Sequence, residues 1–129
     1  MPDKGQDSGQ IQLTAILKGL ICSFIILIIT SIILGFLFSM INVLSEDLIN
    51  RILLAINYAA IFIGGIYTAR EASCKGWLNG GLMGFCYMFI IMILGVQLVG
   101  IGLNLEVLLR IMSGFLAGAV GGVIGVNLK

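Results

Sequence analysis

The sequence has no histidine, and its single proline, Pro2, stands ahead of every long hydrophobic run. Lack of histidine removes the side chain that most often serves as general base and metal ligand near neutral pH. Charge is scarce too, at 10% of 129 residues, where soluble domains carry about 25%. Seven basic and six acidic residues cannot coat a water-soluble core, so lipid must be the solvent for most of the surface. The net charge of +1 gives no case for nucleic acid, which needs a basic face or stripe. Cys22, Cys74 and Cys86 are odd in number and form no CxxC pair, so they read as free thiols rather than a disulfide framework.

What fills the chain instead is apolar: 60% of its residues are hydrophobic. After a polar stretch that reads as a disordered cytoplasmic tail over residues 1–12, the charges divide the sequence into four uncharged runs. They extend from Gly19 to Ser45, Ile52 to Ala69, Gly76 to Leu105 and Ile111 to Leu128. A helix needs about 20 apolar residues to cross a bilayer, with a working range of about 17–25. All four runs reach that length, and Arg51 and Arg110 can extend the shorter two by snorkelling to the interface. Membrane β-strands need only about 9–11 residues and alternate polar with apolar positions, a pattern absent here. The first run exceeds the ~7–15 residues of a cleavable signal core, and no A-x-A-like site follows it. The expectation is therefore an all-α integral membrane four-helix bundle over residues 13–129, with helices near 13–43, 46–70, 75–102 and 105–128.

Orientation follows the lysines and arginines. Lys4, Lys18, Arg70, Lys75 and Lys129 fall on one side, and Arg51 and Arg110 on the other. This predicts a multi-pass protein of the cell membrane with both termini and the Arg70–Lys75 loop in the cytoplasm. At the opposite side, Ser45 before Glu46 and Asp47, and Asn104 before Glu106, have the form of helix caps with acids in the first turn. Asp47 with Arg51, and Glu106 with Arg110, have the spacing of same-face ion pairs. Lys18-Gly19-Leu20-Ile21 resembles Lys75-Gly76-Trp77-Leu78. With run lengths alternating long and short, this suggests two repeated helical hairpins of one orientation.

Glycine supplies 18 residues, roughly double the usual ~7%, and recurs at every fourth position. Helix 3 carries Gly76, Gly80 and Gly84; helix 4 carries Gly114, Gly118 and Gly122, with Ala117, Gly121 and Gly125 beside them. Residues four apart share a helix face, and small ones let backbones approach in lipid. Helix 2 has a weaker stripe of Ala60, Gly64 and Thr68, and helix 1 one of Ser31, Gly35 and Ser39. Asn57 lies near the middle of helix 2, where its amide requires a partner on another helix. No acid or base lies at membrane depth, which argues against proton-coupled carriers and voltage sensors. Arg70, Glu71, Lys75 and Trp77 form the most polar stretch of the body: a basic loop with an interfacial tryptophan anchor, or a docking site for a partner.

The strings Ile63-Gly64-Gly65, Lys75-Gly76-Trp77-Leu78-Asn79-Gly80 with Gly84 and Tyr87, and Ala117-Gly118 through Gly121-Gly122 to Ile124-Gly125-Val126-Asn127-Leu128 carry a resemblance. They are similar to the YrzE-like family of small four-helix bacterial membrane proteins. The resemblance implies a bacterial cytoplasmic-membrane location and brings no activity and no binding residues with it. Catalytic, metal and cofactor sites are not expected, since a lone Ser or Cys would have no base to activate it. The function expected is that of a non-enzymatic membrane component working through helix contacts with itself or another membrane protein. The alternative is a small oligomeric channel or uniporter.

Overall fold

The computed structural model describes residues 11–129; Lys4 and all but the last two residues of the expected tail at 1–12 lie outside them. Four helices follow in order: α1 (Leu13–Met40), α2 (Glu46–Glu71), α3 (Gly76–Val99) and α4 (Leu105–Asn127), with no strand among the described residues. At a rise of about 1.5 Å per residue, the 23 residues of α4 reach about 34 Å, beyond the ~30 Å hydrocarbon core. All four are long and apolar enough to span a membrane. The protein is a multi-pass integral membrane four-helix bundle.

Helix ends follow local chemistry. Helix α1 closes at Met40, short of the expected 43. Helix α3 closes at Val99 instead of running to 102, because Gly100 turns left-handed at φ 72. Lys75, expected as the first residue of helix 3, instead caps it from outside at φ 47, which lets the chain reverse within a short loop. Ser45 and Asn104 do occupy the N-cap positions of α2 and α4, but neither side chain bonds a backbone N–H.

Helices α2 and α3 form the centre. Helix α4 packs on both, α1 packs on both from the other side, and α1 and α4 do not touch. Ile61, Met83 and Tyr87 are fully buried where the two central helices meet, and Ile16, Met88, Val107 and Ile111 extend this core. Helix α1 makes its contact from its N-terminal end to Leu27: Ala15, Ile16, Gly19 and Ser23 are buried, and Leu20, Phe24 and Leu27 pack against the core. From Phe24 to Met40 none of its residues is buried.

The two hairpins close in the same register. In the first, the Ser23 hydroxyl bonds the Ala60 carbonyl at 3.1 Å, and Gly64 lies against the Gly19 carbonyl. In the second, Gly80 lies against the Gly118 carbonyl and Gly122 against that of Gly76. A closed two-fold arrangement of the hairpins would also set α4 against α1 as α2 is set against α3, and that contact is missing.

Candidate functional site

The seam on α4 has two glycine faces. Gly114, Gly118 and Gly122 meet α3, where a side chain on Gly84 would strike the Gly114 carbonyl and one on Gly118 that of Gly80. Gly121 and Gly125 meet α2 at the Phe62 and Ile66 carbonyls. Gly118 belongs to both faces: a Cβ built on Gly65 of α2, or on Gly80 of α3, would lie 2.6 Å from its carbonyl oxygen. Gly76 sits against Val126, and Gly64 against Ser23 and Met83. Gly35 on α1 differs, with nothing within 4 Å of its Cβ position, so the Ser31–Gly35–Ser39 stripe packs against nothing in the monomer.

Asn57 faces the bundle. Its side-chain carbonyl accepts a 2.7 Å hydrogen bond from the Tyr87 hydroxyl of α3. One residue on, Tyr58 and Ser113 join α2 to α4 through their hydroxyls at 2.6 Å. Ser113 donates to the Arg110 carbonyl at 2.7 Å, so Tyr58 must be the donor in that pair. Beside these bonds, between α2 and α4, lies a crevice of about 320 Å³ lined by Asn50, Leu53, Leu54, Asn57 and Arg110. Arg110 bonds Glu106 at 2.8 Å on its own helix, whereas Asp47 and Arg51 form no ion pair among the described residues.

At the opposite end of the bundle, the loop from Glu71 to Gly76 is tied from three helices. Lys18 of α1 pairs with Glu71 at 2.8 Å. The Asn79 carbonyl accepts from the Gln12 backbone at 3.1 Å, and its amide donates to the Cys74 and Lys75 carbonyls. Gln12 in turn accepts from the Ser73 N–H at 3.0 Å, and the Lys129 ammonium donates to the Ala72 carbonyl. The candidate docking residues are thus divided: Glu71 is engaged within the protein and Arg70 is exposed. Lys75 and Trp77, the latter half-exposed, line a shallow hollow with Val123, Val126 and Asn127. Gln12 and Ser23 carry cross-helix bonds that helix periodicity alone does not mark out, whereas Thr68, on the Ala60–Gly64–Thr68 stripe, bonds the Gly64 carbonyl of its own helix. For Ser23 the available signal was a hydroxyl inside an uncharged run.

Residues 12–125 match a family described as a protein of unknown function (DUF3792). The chain belongs to this family. The match begins at Gln12, which bonds the Ser73 N–H, and ends at Gly125 of the α4 seam, so it reaches into all four helices of this chain. It is similar to the uncharacterized membrane protein YrzE of Bacillus subtilis (strain 168), with 31% identity over 116 residues, 88% of this chain and 75% of that protein. No solved structure shows a significant match. Among the described residues, no group of three or more His, Cys, Asp or Glu side chains could hold a metal ion, and Cys22, Cys74 and Cys86 form no disulfide.

Proposed function

We propose that this protein is a non-enzymatic component of the cell membrane that acts through helix contacts, with a second copy or with another membrane protein. The supporting observation is the second half of α1. It stands clear of the bundle with Ile32, Phe36 and Met40 each more than two-thirds exposed. The Gly35 stripe lies on this free half, while the glycine stripes of α3 and α4 are covered by neighbouring helices. Van der Waals packing against small residues is what drives helix association in lipid, where hydrophobicity gives no net drive. On this reading both termini and the 71–76 loop face the cytoplasm, and the free half of α1 lies in the outer leaflet.

Cysteine placed singly at Gly35 in a cysteine-free background tests the reading by oxidative cross-linking in native membranes. A discrete cross-linked species at Gly35, absent for Val120 on the lipid face of α4, is expected. Equal cross-linking at both positions would mean random collision and remove the reading. The second reading, a small oligomeric channel or uniporter, requires a path between subunits. A route within one chain would have to cross the fully buried Ile61, Met83 and Tyr87. Flux into liposomes carrying the purified protein distinguishes the two.

A further inference from the structure

The crevice between α2 and α4 offers hydrogen-bond donors and almost no acceptors. Asn50 and Asn57 are seven residues apart, two helical turns, so they line one face of α2 over about 10 Å of depth. The carbonyl of Asn57 is taken by Tyr87. Its amide nitrogen has no hydrogen bond among the described residues, yet is not sealed from the crevice. Arg110 gives one nitrogen to Glu106, which leaves most of the five N–H donors of a guanidinium. Asn50 makes no side-chain hydrogen bond either. The Tyr58–Ser113 pair, with Ser113 also bonded to the Arg110 backbone, clasps the two walls together. Leu53 and Leu54, each about 40% exposed, provide an apolar flank open to acyl chains. The charged groups at this end are Arg110, its partner Glu106, and Glu46, Asp47 and Arg51. Glu106 is 71% exposed, so its carboxylate stands at the mouth rather than in the crevice.

A cavity with several donors, one free acceptor and an apolar flank selects an acceptor-rich amphiphile. We propose that it binds an anionic phospholipid, whose phosphate is held by Arg110 and Asn50 and whose glycerol ester carbonyl meets the Asn57 amide. Arginine suits the phosphate because its planar fork matches two oxygens at once. An unbonded amide in a membrane helix is costly, and a lipid carbonyl that accepts from it relieves that cost. This assignment is independent of the role given to α1.

The test uses the full chain in mild detergent, with lipid retention read by native mass spectrometry from phosphatidylglycerol and phosphatidylcholine supplied equally. Preference for phosphatidylglycerol of about tenfold is expected, the equivalent of roughly one charge-assisted hydrogen bond. Arg110→Gln should abolish the preference. Asn57→Asp keeps an acceptor for Tyr87 but turns the free donor into an oxygen, and should lower retention of both lipids, since both carry the ester carbonyl. Arg51→Gln, at the same end but outside the crevice, should leave the preference intact. Thermal unfolding without added lipid identifies the folded variants, and Arg110, being exposed, keeps the test open if Asn57→Asp does not fold. Displacement of phosphatidylglycerol by inorganic phosphate, with the same dependence on Arg110, would support the oxyanion site and assign its ligand to a soluble source. Equal retention of the two lipids, or a preference that survives Arg110→Gln, would overturn the proposal.

Discussion

Tyr87 and Asn57, on the two central helices, meet through a 2.7 Å hydrogen bond at the edge of a fully buried apolar cluster. The bond supplies the partner that an amide at membrane depth requires, and it orients the amide nitrogen toward the crevice beside Arg110. Tyr87→Phe should lower stability in detergent by roughly 0.6–2 kcal/mol, the range for a cross-helix polar bond in membrane proteins. In a double-mutant cycle with Asn57→Leu, the double variant should lose less than the sum of the singles. Strict additivity, read from unfolding free energies, would show that the contact contributes nothing.

The junction at Gly118 predicts a sharp asymmetry between neighbouring positions. A branched side chain there would push on the Gly80 carbonyl and on the Gly84 backbone, neither of which can rotate away. Gly118→Ile should reach the upper end of the ~1–3 kcal/mol cost of overpacking. Leu116 is 63% exposed, so Leu116→Ile should be nearly silent. Equal melting temperatures for the two variants would show that the seam is not a packing surface.

The loop from Glu71 to Gly76 separates anchoring from docking. Asn79 is fully buried and engages Gln12, Cys74 and Lys75 at once. Asn79→Leu should therefore cost about 1–3 kcal/mol for each polar group it strands, with faster proteolysis of the loop. Arg70→Lys keeps the charge but discards the planar fork, and should be silent in stability, topology and co-purifying protein. Loss of a co-purifying partner in the Arg70→Lys variant would instead assign docking to this loop.

Topology is tested by an impermeant thiol reagent on intact cells, with single cysteines in a cysteine-free background. The distribution of lysine and arginine predicts labelling at Ser45→Cys and Asn104→Cys but not at Ser8→Cys. The reverse pattern would invert the bundle, and with it the leaflet that the Arg110 crevice faces.

The number of apolar spans and their helical character were legible in the sequence, because each depends on run length within one segment. Residue spacing also marked Glu106 and Arg110 correctly as a pair, since both lie on one helix. It failed for Asp47 and Arg51, which have the same spacing, and it had no means of finding Lys18 with Glu71, whose meeting depends on how α1 crosses α2. Asn57 illustrates the boundary: its need for a partner follows from its place in a hydrophobic run, but the choice of Tyr87 does not. In lipid, a packing face and a lipid face are both apolar, so composition does not distinguish covered stripes from open ones. Only the tertiary structure decided that Gly118 lies at a three-helix junction while Gly35 faces outward. It also packed α4 on α2, and so brought Asn50, Asn57 and Arg110 to one crevice, because helix packing sums contacts over whole faces that no single segment records.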